Sequence, residues 1–242
     1  MKRLTAILWR GLYSWISARN LNGPFPGDFV CSGSDLGVLF QGNARRFLHV
    51  GCGSARKPNV GQGFLADDWE EIRLDIDPGA APDVLSSMLD MEVVPDASVD
   101  AVYSSHNIEH LYPHEVPVAF AEFLRVLKPG GVLVLSCPDL QSVCRLVGEG
   151  KLTEPAYISP AGPIAPLDIL YGLGSALAGG NLFMAHHTGF TLRTLVDGLR
   201  SAGFPSIAGR QREANLDLWI VASKAQVSEL AMHQLADIHL PR

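Results

Sequence analysis

The sequence predicts an α/β fold built on a mostly parallel β-sheet. Short apolar runs rich in β-branched residues recur along the chain, a pattern typical of strands buried in a parallel sheet. Amphipathic helical segments that end at glycine lie between or after some of these runs. Apolar residues make up 47% of the 242 residues and charged residues 18%, which is enough apolar material for a core and argues against disorder.

The first 45 residues differ from the rest of the chain and are predicted to form an N-terminal helix and connector. Apolar residues within 1–19 recur at helical spacing among basic residues, which predicts an amphipathic helix. That helix either packs on its own domain or contacts a membrane surface or a partner. Arg10 splits the apolar run and no small-residue cleavage site follows, so neither a signal peptide nor a membrane span is expected.

The main domain is predicted over 46–224, followed by a C-terminal helix and tail over 225–242. Its predicted strands are 46–50, 71–77, 83–87, 99–105, 131–137 and 216–224, and its predicted helices are 116–127 and 191–204. The connections after the first two strands are short or rich in Gly and Pro, whereas a parallel crossover takes about a dozen residues or more. Abbreviated helices are therefore expected there.

Residues 145–185 combine several prolines and glycines with apolar and aromatic residues. A structureless loop of that length is uncommon in a compact domain. We therefore predict a small, partly helical cap inserted after the fifth strand, with 166–178 as its main helix.

The net charge of −6 and the lack of a dense Lys/Arg run argue against a nucleic-acid surface. None of the cysteines, Cys31, Cys52, Cys137 and Cys144, forms a CxxC pair. Reduced thiols in a cytoplasmic protein are the simplest interpretation. Segment 1–19 is a candidate for peripheral membrane contact, and the sequence does not indicate an oligomeric state.

The first strand ends in Gly51-Cys52-Gly53, and Asp75 ends the second. A Gly-x-Gly turn lets backbone amides approach a ligand closely. A carboxylate after the next strand can accept hydrogen bonds from both hydroxyls of a ribose. This pair predicts a nucleotide-type cofactor, although the missing third glycine argues against NAD and FAD.

Five motifs occur in order at suitable spacing: FLHVGCGS, IRLDIDP, PDVLSSM, ASVDAVYSSHNIEHLYPHE and EFLRVLKPGGVLVLSCPDL. Together they resemble a class I S-adenosylmethionine-dependent methyltransferase of the type 11 group. The resemblance covers about residues 46–140 and implies a Rossmann-like, seven-stranded sheet. It also implies S-adenosyl-L-methionine as cofactor and methyl transfer as the reaction.

The resemblance assigns cofactor contacts residue by residue. Gly51, Cys52 and Gly53 would run under the methionine part, Asp75 would bind the ribose, Ile76, Ser87 and Met88 would surround the adenine, and Ser105 would lie near the sulfonium. Two positions depart from the wider family, in which an acid commonly stands at the places of His49 and Ser87.

Methyl transfer to an acceptor needs alignment and, for some acceptors, removal of a proton, a task that suits histidine. His106 ends the fourth strand, close to the expected position of the methyl group. His186 lies where the cap returns to the domain. Asp139 follows the fifth strand and is either a further base or the cap of a helix that starts at Leu140.

The segment His106-x-x-Glu109-His110 also matches an inverted zinc-peptidase pattern. It begins at a strand end within a cofactor-binding sequence, and Pro113 ends the helix soon after His110. We therefore predict no metal ligands here, and expect Glu109 and His110 to be structural residues.

The favoured function is O-methylation of a small-molecule acceptor or of one from a saccharide or lipid pathway. The cap, with Tyr157, Tyr171, Phe183 and Met184, would form the acceptor pocket. The departures at His49 and Ser87 leave open a non-catalytic protein that binds the cofactor or its product as a regulator or partner. An NAD-dependent oxidoreductase is a third alternative.

Overall fold

Seven strands form one sheet in the computed structural model, which describes residues 39–241. They are β1 (Arg45–Val50), β2 (Trp69–Asp75), β3 (Val84–Leu85), β4 (Val99–Ser105), β5 (Leu127–Pro138), β8 (Ser206–Arg212) and β9 (Asp217–Ser223), while β6 (Tyr157–Ser159) and β7 (Gly162–Ile164) pair separately. The order is β3-β2-β1-β4-β5-β9-β8, with β9 antiparallel to both neighbours and the other pairs parallel. The predicted Rossmann-like sheet is confirmed.

The described helices are α1 (Val116–Val126), α2 (Leu140–Gly148), α3 (Pro166–Tyr171), α4 (Gly174–Ala178), α5 (Leu192–Ala202) and α6 (Glu229–His239). Short 3-10 turns replace full helices after β1 and β2, at Lys57–Asn59, Gln62–Phe64 and Pro78–Ala80. The expected abbreviation is therefore confirmed. None of these described helices is long and apolar enough to cross a membrane. The predicted helix in 1–19 and Cys31 lie outside the described residues.

Alternate residues of each strand face two apolar layers. On one face, Phe120 and Phe123 of α1 are buried with Leu195 of α5. On the other face, Met232 of α6 packs in a cluster with Phe64. Each such side chain contributes about 1.5–3 kcal/mol when fully buried. The sheet is thus covered on both faces, and the carboxyl ends of its parallel strands remain the edge at which a site can form.

Residues 145–185, the predicted cap, lie between β5 and β8 and contain the end of α2 followed by β6, β7, α3, α4 and a 3-10 turn at Leu182–Met184. The helix predicted over 166–178 is divided into α3 and α4. Gly172 separates them with φ +99°, and a Cβ atom there would lie 2.0 Å from the carbonyl oxygen of Met184. A close approach of two backbone segments therefore interrupts the helix.

Candidate functional site

A crevice of about 320 Å³ opens at the carboxyl ends of β1, β2 and β4. Strand β1 pairs with β2 on one side and with β4 on the other. This is where the strand order reverses, the usual ligand position in an open α/β sheet. The predicted cofactor residues that line it are Gly51, Gly53, Asp75, Ile76, Ser87 and Met88.

The turn after β1 brings the main chain to the crevice. Gly51 and Gly53 have φ +66° and +49°, a left-handed backbone that favours glycine. The Gly51 N–H donates to the Leu74 carbonyl, 2.9 Å away, which ties this turn to the end of β2. Cys52, between the two glycines, is buried and does not line the crevice. Burial raises the pKa of its thiol to about 11.

Asp75 closes the crevice at the end of β2. Its carboxylate accepts hydrogen bonds from the backbone N–H groups of Gly53 at 2.7 Å and Asp77 at 2.9 Å. Two carboxylate oxygens offer about four acceptor positions, so two remain for the hydroxyls of a ribose. The carboxylate therefore both shapes the glycine turn and faces the ligand position.

Arg73 supports this arrangement from within the fold, a role that sequence reasoning missed. Its buried guanidinium donates to the carbonyl oxygens of Ala55 at 3.1 Å, Ala80 at 3.1 Å and Ala81 at 2.6 Å, and also to that of Gly53. One side chain thus links the loops that follow β1 and β2. An arginine inside an apolar strand, just before the ribose acid, is the signal that could have indicated it.

Ser105, predicted to lie near the sulfonium, contacts β5. Its hydroxyl pairs with that of Ser136 at 2.7 Å, and it does not line the crevice. Asn107 lines the crevice instead. Its Nδ2 lies 3.4 Å from the Ser104 hydroxyl and 3.9 Å from the sulfur of Met88. His106, between Ser105 and Asn107, has a left-handed backbone at φ +50°, so the chain leaves the extended strand conformation directly after Ser105.

Beyond Asn107, a buried carboxylate lies among histidines. Glu109 is 2% exposed, and its Oε1 is 3.5 Å from Nδ1 of His106, which is 46% exposed. The rings of His110 and His186 meet with centroids 4.8 Å apart. The main-chain oxygen of Glu109 accepts from the N–H of His187 at 2.9 Å. The segment after β4 and the end of the cap are therefore joined at Glu109.

A smaller side pocket of about 200 Å³ adjoins this cluster. Glu109 and His186 are among the residues that line it, and Leu140, Val143 and Ile169 make its walls largely apolar. His187 lines both the side pocket and the crevice, and its ring stacks on Tyr112 at 4.2 Å. The two spaces are thus adjacent and share one wall.

The predicted cap residues are divided between the two spaces. Tyr171 lines the side pocket, whereas Phe183 and Met184 line the crevice. Tyr157 packs against the apolar cluster of Val143 and its neighbours. The cap therefore contributes to both spaces.

Residues 48–135 match the type 11 family model described as "Methyltransferase domain". These residues form a methyltransferase domain. A sequence search of curated proteins gives no match.

The chain is also similar to solved structures. The 1,6-didemethyltoxoflavin-N1-methyltransferase of Burkholderia thailandensis has 16% identity and a TM-score of 0.48, over 80% of this chain and 76% of that one. A SAM-dependent methyltransferase of Archaeoglobus fulgidus has 18% identity and a TM-score of 0.48, over 79% and 92%. The CMeT domain of the citrinin polyketide synthase has 15% identity and a TM-score of 0.50, over 76% and 47%. At this identity, the last similarity supports the fold alone.

The crevice of the methyltransferase fits S-adenosylmethionine, the cofactor of its class. The glycine turn exposes main chain for the methionine part, Asp75 offers acceptors for the ribose, and Ile76, 51% exposed, offers an apolar edge for adenine. His49 does not line the crevice; its Nδ1 contacts Glu71 Oε1 at 2.7 Å on the far side of β1. The departure at His49 therefore lies away from the crevice.

Glu109 and the histidines around it shift one another's pKa values. Burial raises the pKa of Glu109, but His106 and, at longer range, His110 and His186 outweigh it and hold this pKa below its usual range. Desolvation lowers the pKa of His106, yet the ion pair with Glu109 raises it overall. Burial lowers the pKa of His186.

Asp139 caps α2. Its carboxylate accepts from the Gln141 N–H at 3.1 Å and from the side chains of Ser142 and Gln211. The residue is 1% exposed and lines neither the crevice nor the side pocket. The structure thus supports the helix-cap alternative over a role as a base.

Proposed function

We propose that this S-adenosylmethionine-dependent methyltransferase methylates an oxygen of a small acceptor, of the kind found in saccharide or lipid pathways. The observation that carries the proposal is the side pocket of about 200 Å³, which shares His187 with the crevice. An acceptor held there would lie beside the methyl group at the crevice, and such positioning is the main task of the enzyme. The apolar walls suit the carbon skeleton of the acceptor, and the polar atoms of Glu109 and His186 suit a hydroxyl group.

Oxygen is favoured over an amine because the candidate bases on the walls of the two spaces are histidines, and a neutral imidazole can take the proton of a hydroxyl group. When bound, the cofactor supplies an electrophilic methyl group. The acceptor oxygen gains the methyl, the sulfonium sulfur keeps the electron pair of the broken bond, and the hydroxyl proton leaves to a base or to water. His106, on the crevice wall, is the first candidate for that base, and His186 is the second.

Cofactor binding is tested with the Asp75→Ala variant. Unpairing the ribose hydroxyls should weaken S-adenosylhomocysteine binding by roughly 1–3 kcal/mol. Calorimetric titration of wild type, Asp75→Ala and the control Asp197→Ala measures this, since Asp197 is an exposed residue of α5. Unchanged affinity in Asp75→Ala would place the ribose elsewhere. Binding of NAD in preference to S-adenosylhomocysteine would favour the oxidoreductase alternative.

The reaction is tested by transfer of a labelled methyl group to a panel of small hydroxyl and amine compounds and to extract fractions. We expect methyl ethers or esters as products. Methylated amines would overturn oxygen as the acceptor atom. Tight binding of S-adenosylhomocysteine without transfer to any fraction would favour the non-catalytic alternative.

A further inference from the structure

Three side chains that commonly bind metal ions meet at the wall of the side pocket. One ligand atom from each of Glu109, His110 and His186 lies within 4.8 Å of the other two. Two imidazoles and one carboxylate form a ligand set found at zinc and other divalent transition-metal sites. The sequence predicted no metal ligands. It showed Glu109 and His110 close together but gave no sign that the cap would bring His186 to them.

Both imidazoles are held in the same tautomer. Nδ1 of His110 lies 3.0 Å from the Ala185 carbonyl oxygen, and Nδ1 of His186 lies 2.7 Å from that of Ile169. A carbonyl oxygen only accepts hydrogen bonds, so each Nδ1 carries the proton and each Nε2 keeps its lone pair. Metal-binding histidines typically donate their other ring N–H to a carbonyl or carboxylate in this way.

The carboxylate supplies an independent observation. Glu109 is 2% exposed, and its Oε2 has no hydrogen-bond partner among the described residues. An unpaired buried carboxylate oxygen is costly, because the charged group loses its hydration without replacement. A cation beside His110 and His186 would satisfy this atom, while Oε1 stays with His106.

We propose that Glu109, His110 and His186 bind a divalent transition-metal ion, with Zn²⁺ the best match to the ligand set. The inference rests on the proposed function for its role. Glu109 and His186 line the side pocket and His110 lines the crevice, so the ion would stand between acceptor and cofactor. There it would act as a Lewis acid on the acceptor oxygen. This assigns His186 to metal binding and leaves His106 as the candidate base.

Metal binding is tested on the untagged full-length chain after treatment with a chelator. Titration calorimetry with Zn²⁺ should show one tight site per chain. Glu109→Gln, His110→Ala and His186→Ala should each weaken it by more than about 100-fold, since even outer-shell partners change metal affinity by about 10–100-fold. His114→Ala and His233→Ala are the matched controls, because both histidines are exposed and lie outside the cluster. They should bind Zn²⁺ as wild type does.

The ligand variants must remain folded for this comparison. Binding of S-adenosylhomocysteine provides that check, since Glu109 and His186 do not line the crevice. Equal Zn²⁺ affinity in wild type and folded Glu109→Gln would overturn the metal site.

Substitution with Co²⁺ gives a second measurement. A site of two imidazoles and a carboxylate should show visible cobalt bands without a thiolate-to-cobalt charge-transfer band. A thiolate band that disappears in Cys144→Ser would identify the exposed cysteine as the ligand and overturn the proposal. Loss of the cobalt bands in His186→Ala would support it.

The labelled-methyl assay separates this inference from the proposed function. Methyl transfer that falls on chelation and returns with Zn²⁺ would support both. Metal binding at the three residues without any methyl transfer would support the metal site while the proposed function fails. Full methyl transfer by chelated enzyme, with no specific Zn²⁺ binding, would overturn the metal site alone.

Discussion

Gly51 and Gly53 have the same backbone handedness but different surroundings. A Cβ atom on Gly51 would lie 2.0 Å from Nδ2 of Asn107, whereas one on Gly53 would meet nothing within 4 Å. The requirement at Gly53 is therefore conformational, and the requirement at Gly51 is both conformational and steric. Asn107, which sequence reasoning missed, explains why the first glycine of the turn is the stricter one.

The two glycines provide a matched test. Gly53→Ala should cost about 1–2 kcal/mol of unfolding free energy, the usual penalty for a left-handed alanine. Gly51→Ala should cost clearly more, because it also displaces the Asn107 side chain. Urea unfolding of both variants measures the difference. Adding Asn107→Ala to Gly51→Ala should recover part of the loss, and a purely additive double variant would contradict the steric explanation.

Single-residue predictions from sequence succeeded where a motif fixed the position along a strand. Gly51, Gly53 and Asp75 follow directly from β1 and β2, and the structure brings all of them to one crevice. Ser105 does not line the crevice, whereas His106 and Asn107 do, because the left-handed backbone at His106 ends the strand and turns the chain there. The partners of Glu109 could not be predicted, since no local pattern records which distant cap residue will contact it.

The elements of the fold were predictable where their periodicity was strong. Helices α1 and α5 carry clear apolar faces and end where expected. Strand β8 was not indicated, because its sequence SIAGRQR is polar and lies at the sheet edge. The break between α3 and α4 was also missed, since it depends on the main chain of Met184 rather than on the helical pattern.

The break at Gly172 can be tested against Gly180, which also has a left-handed backbone at φ +90° but no atom within 4 Å of a Cβ position. Gly172→Ala should open the cap, because the new Cβ atom would collide with the Met184 carbonyl. Limited proteolysis reports such local opening. We expect the rate of cleavage in the cap to rise more than about tenfold in Gly172→Ala and clearly less in Gly180→Ala. A tenfold change corresponds to about 1.4 kcal/mol of opening free energy. Equal cleavage of the two variants would contradict the role assigned to the break.

Among residues 39–241, the short turns after β1 and β2 leave part of one sheet face without a helix of its own. The C-terminal helix α6 covers this area, where Met232 and Ala236 join the cluster of Phe64 and Trp69. The sequence predicted both the abbreviated turns and a terminal helix. Their mutual packing could not be predicted, because it joins segments from opposite ends of the domain. Helix α6 thus completes the apolar layer on the sheet face where the turns after β1 and β2 are too short to cover it.

This packing buries His239, and it should make the stability of the domain depend on pH. His239 is 6% exposed, its ring lies 4.9 Å from that of Phe64, and its Nδ1 has no hydrogen-bond partner among the described residues. Burial, with a smaller contribution from Arg45, lowers its pKa from 6.5 to about 4. Between those values the unfolded chain binds the proton more readily than the folded one, so stability should fall as the pH drops from 6.5 toward 4. The expected loss from this residue is roughly 3 kcal/mol, since one pKa unit corresponds to about 1.36 kcal/mol.

Urea unfolding of wild type and His239→Leu between pH 6.5 and 4 measures this loss. His233→Leu, at an exposed position on the same helix, is the control. The free energy of unfolding of the control should depend on pH as that of the wild type does. In His239→Leu, the steep fall of this free energy between pH 6.5 and 4 should be lost. Parallel curves for all three proteins would show that His239 does not set the pH dependence.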